Sequence, residues 1–257
     1  MLPSGPSEEA TPGANALPEK VHLSLFVACY NEEPNIVGTL ETVATAASKT
    51  VPSYEVLVVD DGSKDRSVAK VREFMSAHPD LPIRLLVNPR NEGVANNYAE
   101  AAFRGRGEWY RMICGDNVES EDTLSTIFSS IGEAEMLIPY YKEHPGRAPH
   151  RRVISKLYTG LVNFLSGYKL HYYNGMPLTR RAYAMRWHSN SHGFGFQADL
   201  VTRLLALGAT HKEVGVIGRE RAGGKSSALT FRNFASVAHS LQNIVIRRVS
   251  KTLYGQC

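Results

Sequence analysis

Apolar positions along the chain fall into two kinds of run. Short unbroken ones, rich in β-branched residues, read as strands buried on both faces: VHLSLFVACY (21–30), YEVLVVDDGS (54–63), IRLLVN (83–88), EWYRMIC (108–114) and AEMLIPYY (134–141). Between them, apolar residues recur every three or four positions, as on one side of a helix. Ile36, Val37, Leu40, Val43 and Ala44 do so behind Pro34, which suits a first helical turn. Val68, Val71, Phe74 and Met75 do so over 64–79. Further helices are expected over 92–105, closed by Gly105, and over 121–131. Strands and helices alternating at this pitch predict an α/β fold with a mostly parallel sheet covered on both faces.

Beyond residue 142 the alternation fails. KEHPGRAPHRR (142–152) reads as a basic loop, and VISKLYTGLVNFLSG (153–167) as a helix that is apolar over much of its circumference. FQADLVTRLLALG (196–208) predicts an amphipathic helix ended by Gly208, THKEVGVIG (210–218) a short strand, and RERAGGKSSALTFRN (219–233) a flexible basic loop. Phe234, Ala238, Leu241 and Val245 place one apolar face on a last helix from Phe231 to Leu253. Residues 1–20, rich in Pro, Gly, Ala and Glu, read as a disordered leader without the basic start or apolar segment of a signal peptide. No apolar run approaches the roughly 18 residues of a membrane span.

Composition adds limits. At 257 residues, 43% hydrophobic and 21% charged, the chain suits one large α/β domain or a domain with a small appendage. A net charge of +4 favours anionic partners, such as nucleotide phosphates or an acidic lipid surface, and nothing points to nucleic acid. Cys29 and Cys114 lie in apolar runs and Cys257 at the end; an odd count without framework spacing implies a reducing, cytoplasmic setting. His188, His192 and His211 have no zinc-site spacing.

The chemistry follows from the strand ends. Parallel sheets bind ligands beyond the carboxyl ends of their strands. Tyr30-Asn31-Glu32, Asp60-Asp61 and Asp116 are therefore expected on one rim. Asp60 suits hydrogen bonds from a nucleotide base or ribose; capping of the following helix by Asp61 or Ser63 is the plainer reading. The stretch YRMICGDNVESEDTL (110–124) is a strand running into an acidic turn. Mg2+ or Mn2+ keeps substrate phosphates in its shell, so Asp116 and a pyrophosphate suffice to hold one, with an added oxygen from Asn117 or Glu119. An ordinary Asp-Asn turn is the alternative.

VACYNEEPNI, EVLVVDDGSKD, NPRNEGVANNYAEAAFRGRGEWYRMICGDN and GFGFQADLVTRLLALG, in this order and spacing, resemble successive landmarks of family 2 glycosyltransferases with the GT-A fold. Within that family the chain is most similar to polyprenyl- or dolichyl-phosphate sugar (mannose or glucose) synthases, over about 22–230. The resemblance implies a Rossmann-like sheet with acceptor-side helices after it. The nucleotide-sugar half would span about 21–120, the acceptor half about 121–230, and an amphipathic helix 231–257. It implies that Ala28, Tyr30, Glu32, Asp60, Asp61, Gly93, Asn97, Gly115, Asp116 and Lys225 bind a GDP- or UDP-type sugar. Cys114-Gly115-Asp116 stands on the metal-binding Asp-x-Asp, with Cys114 in place of the first acid; a neutral thiol is a poor Mg2+ ligand. Arg151 and Ser155, with Arg152 beside them, match a pair that binds the lipid phosphate; an arginine fork suits that group. HYYNGMPLTRR (171–181) departs from the synthases' pattern. In RAGGKSS (221–227), Arg221, Gly224 and Ser226 match and Ser227 replaces a lysine.

An inverting transfer follows as the expected reaction, with Asp116, Asp199, Arg151 and Arg221 as the catalytic set. Gln197 and Ser226 line the acceptor side, and Arg221 and Lys225 neutralise the departing diphosphate. A lipid phosphate attacks unaided, whereas a saccharide hydroxyl needs a carboxylate such as Asp199. A nucleotide-sugar-binding relic is the non-catalytic alternative. A nucleotidyltransferase is disfavoured, since no glycine-rich, lysine-bearing phosphate loop follows the first strand. The last helix, with Arg247, Arg248 and Lys251 along one edge, either packs on its own domain or a partner subunit or lies on the inner face of the cell membrane.

Overall fold

In chain order the elements are β1 (Ser7–Ala10), α1 (Pro12–Asn15), β2 (Val21–Cys29), α2 (Ile36–Thr50), β3 (Tyr54–Asp60), α3 (Ser67–Ala77), β4 (Ile83–Val87), α4 (Val94–Arg104), β5 (Gly107–Cys114), α5 (Glu121–Ser129), β6 (Met136–Glu143), α6 (Pro149–Ser166), β7 (Leu178–Arg180), α7 (Arg181–Met185), α8 (Phe196–Ala206), β8 (His211–Ile217) and α9 (Phe231–Tyr254). The structure, a computed structural model, describes residues 6–17, 19–143, 145, 148–187, 195–219 and 231–255.

One eight-stranded sheet runs in the order β1-β4-β3-β2-β5-β7-β6-β8. β2 pairs in parallel with both β3 and β5, β3 with β4, and β6 with β8; β1 and β7 are antiparallel to their neighbours. The sheet is therefore mostly parallel, as expected. The chain winds outward from β2 to β3 and β4, then returns to place β5 on the other side of β2. That reversal opens a crevice between the ends of β2 and β5, the position where doubly wound sheets bind ligands.

Strand alternation divides the core in two. On one face Leu23, Leu25, Val27 and Cys29 of β2 pack against Ile36, Leu40 and Val43 of α2, with α3 and α5 completing the layer. On the other face Phe26, Leu57, Val59 and Leu86 meet Tyr98 of α4, Val162 of α6, Leu200 of α8 and Ile244 of α9.

Three elements differ from expectation. The leader is ordered in part: Ser7–Ala10 pairs with β4, its acids held by Arg72 on Glu9 and by Arg84 and Arg104 on Glu8. Thr11 then accepts from the Ala14 amide and caps α1. α6 begins at Pro149, inside the stretch read as loop, because proline is accommodated in a first turn. α9 turns Ser240 and Ile244 to the body, whereas Val245, expected on that face, is exposed.

Candidate functional site

The ends of β2, β3 and β5 lie level: Cys29 faces Asp60 across one pair, and Ala28 faces Cys114 across the other. The loops continue this pairing. The Asp61 amide donates to the Cys29 carbonyl at 2.9 Å, and the Gly115 amide to the Ala28 carbonyl at 2.8 Å. A side chain at Gly115 would meet that carbonyl at 2.8 Å and Ile36 Cδ1 at 3.3 Å, with Glu32 Cγ at 3.5 Å. Glycine thus lets the Cys114–Asp116 turn close on the loop carrying Glu32. Glu32 also acts electrostatically on both Cys29, beside Asp60, and Cys114, beside Asp116. The three acidic loops meet on one rim.

Hydrogen bonds hold this rim in place. Asn31, in the left-handed region at φ 54°, donates its amide to Ser63 Oγ and accepts from the Lys64 amide. The Glu32 amide donates to Ser67 Oγ at 2.8 Å, and the Glu33 amide to Asp65 at 3.1 Å. Asn35 Nδ2 reaches Glu32 Oε2 at 2.8 Å. Tyr30 stands exposed on the rim, an aromatic face open to solvent. Asp60 is fully buried and accepts from the Ser63 amide and hydroxyl, which makes it the organiser of its own turn. Asp61 accepts from the Glu92 and Gly93 amides at 2.8 and 3.0 Å and from Asn88 Nδ2 at 3.0 Å. Asn88 in turn donates to Asn97 Oδ1 at 2.8 Å. Asp61 and Asn97 therefore fix the Gly93 turn, where φ is 90°.

A cleft of about 160 Å3, room for more than a single water, opens beside the Cys114–Asp116 turn. Cys114, Asp116, Glu119, Tyr141, Asn174 and Gln197 are among its lining residues. Cys114 reaches solvent through the cleft mouth although protein surrounds it on most sides. Burial, then the Asp116 and Glu119 carboxylates, pushes its thiol pKa well above the ordinary range, so the thiol stays protonated. Beneath lies Arg111, almost fully buried, with both terminal nitrogens on the Glu119 carboxylate.

The three residues expected to hold a metal have different surroundings. Glu119 is committed to Arg111; drawing it to a cation would strand a buried guanidinium. Asn117, also left-handed at φ 54°, lies over Gly38 of α2 and takes a long hydrogen bond from Thr42, away from the cleft lining. Among the described residues no three acidic, histidine or cysteine side chains are grouped to hold an ion. Asp116 is the other carboxylate that lines the cleft. That donor set fits an ion held chiefly by a diphosphate.

The acceptor side also departs from expectation. Gln197, nearly buried, presents a neutral amide to the cleft. Asp199, two residues on, points elsewhere. Its Oδ1 lies 2.7 Å from Arg247 Nη1 of α9, an ion pair without hydrogen-bond alignment, and its Oδ2 accepts from Trp187 Nε1 at 3.2 Å. Asp199 thus joins α8 to α9 and is not among the residues that line the cleft. Arg247 adds a bond to Thr202 Oγ1 at 3.0 Å. Arg151 and Arg152 are exposed and Ser155 half-buried on the first turns of α6, and none of them lines the cleft. Arg221, Lys225 and Ser226, with Gly224, Ser227, His188 and His192, lie outside the described residues.

Sequence reasoning passed over Met112, Pro139, Asn174, Gly175 and Met176, which also line the cleft. The signal was the Asn-Gly pair of HYYNGMPL, a turn dipeptide among aromatics. A side chain at Gly175 would strike the Pro139 carbonyl at 2.4 Å. Arg111 was equally visible as one charge inside an apolar strand.

With this geometry in view, comparison with known proteins is informative. The model of the family described as Glycosyl transferase family 2 matches residues 24–186. Undecaprenyl-phosphate 4-deoxy-4-formamido-L-arabinose transferase of Shewanella sediminis is 26% identical over 206 residues, 79% of this chain and 61% of that protein. Dodecaprenyl-phosphate galacturonate synthase of Rhizobium johnstonii is 26% identical over 163 residues, 63% of this chain and 48% of its own. The chain thus spans about half to three-fifths of these two relatives. Glucosyl-3-phosphoglycerate synthase of Mycobacterium tuberculosis, in complex with Mn2+, UDP and phosphoglyceric acid, superposes with a TM-score of 0.67 at 16% identity, covering 87% of this chain and 78% of that one. At that identity the likeness establishes the fold, which is the expected GT-A type.

Proposed function

Because the chain belongs to glycosyl transferase family 2, we propose that it moves a sugar from a UDP- or GDP-type donor to a polyprenyl phosphate. The diphosphate lies across the rim at the ends of β2, β3 and β5. The acceptor phosphate oxygen forms a bond to the anomeric carbon as the bond from that carbon to the diphosphate oxygen breaks. The configuration inverts, and a nucleoside diphosphate leaves.

One observation carries the choice of acceptor. α8 turns its amide, Gln197, into the cleft and its acid, Asp199, into Arg247. A saccharide hydroxyl needs a base within hydrogen-bond reach, whereas a phosphate monoester is already ionised near neutral pH. Glu119 faces the cleft with both its oxygens already engaged by Arg111. The lipid-phosphate names of the two relatives support the same choice. Arg151, Arg152 and Ser155 hold the lipid phosphate in this reading, and Arg221 and Lys225 face the departing diphosphate. Asp116 holds Mn2+ or Mg2+ together with that diphosphate, and the ion supplies charge neutralisation when bound. Tyr30 stacks on the base, and Asp60, Asp61, Gly93 and Asn97 shape the nucleotide pocket by positioning its turns. The expected setting is the cytoplasmic face of a membrane, although among the described residues no helix is long and apolar enough to cross one.

Initial rates with labelled UDP- and GDP-sugars test this, with polyprenyl monophosphate, the corresponding polyprenol and an oligosaccharide offered as acceptors. Product on the monophosphate alone is expected. Product on the oligosaccharide alone, or no turnover with any donor, overturns the proposal.

A further inference from the structure

The walls of the cleft beside the Cys114–Asp116 turn are of two kinds. Met112, Pro139 and Met176 give it apolar sides, which suit the C–H faces of a sugar ring. Asn174, Gln197 and Tyr141 add neutral polar groups. Burial, then the Glu119 carboxylate, raises the Tyr141 pKa well above its ordinary value, so that hydroxyl stays protonated. Among the described residues no Lys, Arg or His lines the cleft, and its charged groups are the carboxylates of Asp116 and Glu119.

With the diphosphate and its ion at Asp116, as in the function proposed above, the sugar one bond further on meets Glu119. Arg111 fixes that carboxylate. Both terminal nitrogens of the guanidinium hold it, and among the described residues Arg111 Nε has no hydrogen-bond partner. Turning Glu119 away would leave a buried cation alone. A carboxylate has about four acceptor positions, so a Glu119 held by two bonds still accepts from sugar hydroxyls. The pair does not cancel when felt from the cleft. At both Cys114 and Tyr141 the Glu119 carboxylate acts more strongly than the Arg111 guanidinium behind it. A hexuronate, which carries a carboxylate where the hexose has a hydroxymethyl group, would bring a like charge to this wall with no lining cation to meet it.

We infer that the Arg111–Glu119 pair determines the donor sugar: the cleft takes sugars that present hydroxyls and excludes those that present a carboxylate. The repulsive element gives the selectivity and the hydroxyl contacts give the affinity. The inference rests on the donor site proposed above and names the class of sugar that the site accepts. Membership of the family leaves this open, since the proteins similar to this chain include a galacturonate synthase and a glucosyl-3-phosphoglycerate synthase.

Isothermal titration with Mn2+ present tests it, using donors matched in all but the carboxylate. The pairs are UDP-glucose and UDP-glucuronate, UDP-galactose and UDP-galacturonate, and GDP-mannose and GDP-mannuronate, with bare UDP and GDP beside them. In at least one pair the hexose form should bind at least about tenfold more tightly than the hexuronate. The double variant Arg111→Met/Glu119→Gln removes both charges and leaves no lone guanidinium buried, so it should fold, and circular dichroism checks that it does. Its ratio of the two dissociation constants should shrink to about threefold or less. Asn174→Lys, on an exposed residue of the cleft wall, adds a cation without touching the pair and should shrink the same ratio. Equal affinities within every pair in the wild type, or tighter hexuronate binding, overturn the inference and leave the donor site standing. A ratio unchanged in the folded double variant, or in Asn174→Lys, also overturns it. Absence of binding by every nucleotide, bare UDP and GDP included, removes the donor site itself and the inference with it.

Discussion

Replacing Arg247 by Met while Asp199 is kept or changed to Asn isolates what the acid of α8 does. Asp199 is 3% exposed, with Arg247 on one oxygen and Trp187 on the other. Removing one partner of a fully buried ion pair costs about 3–5 kcal/mol, because a carboxylate is left without a counter-charge. The Arg247 side chain is one-quarter exposed, so water reaches the pair and the expected loss falls to about 2–3 kcal/mol. Asp199→Asn removes the charge but keeps an oxygen for Trp187, and should cost about 1–2 kcal/mol. The double variant buries no lone charge, so it should be more stable than the sum of the two losses by about 1 kcal/mol or more. Urea unfolding of the four proteins, with slopes compared, reads these numbers. Additivity within about 0.3 kcal/mol would refute the joint between α8 and α9. The same samples report chemistry. Loss of a general base lowers kcat by about 10²–10⁴, whereas the reasoning here predicts that Asp199→Asn keeps kcat within a few-fold. A folded Asp199→Asn protein with kcat reduced a hundredfold would return Asp199 to the active site.

Other expectations concern the rim. Cys114→Asp places a second acid beside Asp116 and Glu119; Tm should fall without metal and rise with Mn2+, by up to about 2.7 kcal/mol in stability at a hundredfold excess over Kd, and a Tm indifferent to Mn2+ counts against an ion at this turn. The raised Cys114 thiol holds less thiolate at pH 8 than an ordinary cysteine; iodoacetamide should label it at least about tenfold more slowly than free cysteine, read by peptide mapping, and equal rates would contradict the assignment. Asp61→Ala leaves the Glu92 and Gly93 amides and Asn88 without their acceptor; a loss of about 2–4 kcal/mol in urea unfolding is expected, and a change under 0.5 kcal/mol would show that the Gly93 turn is held by other means.

Where the sequence was informative, the reason is physical. Strands buried on both faces must be apolar throughout, so β2 to β6 stood out as unbroken runs. β1 did not, because SEEA is polar and its pairing depends on arginines 63 to 96 residues away. β7 has three residues, too few for any periodicity. The rim was legible because parallel strands put their carboxyl ends on one side, so Glu32, Asp60 and Asp116 could be grouped from order alone. Their individual duties were not. Asp60 serves the amide and hydroxyl of Ser63 in its own turn, Asp61 serves the amides of the distant Gly93 turn, and Glu119 serves an arginine hidden in β5. The azimuth of α8 was equally invisible: Gln197 and Asp199 are two positions apart, and a partner 48 residues later decides which one faces the cleft.

Isothermal titration of the wild type and Asp116→Asn with UDP and GDP, each with and without Mn2+, tests the meeting of the three loops most directly. One nucleoside diphosphate should bind at a single site, more tightly with Mn2+, and the Mn2+ enhancement should vanish in Asp116→Asn. Absence of binding by either nucleotide at millimolar concentration, or binding untouched by the substitution with metal present, would contradict a donor site at the ends of β2, β3 and β5.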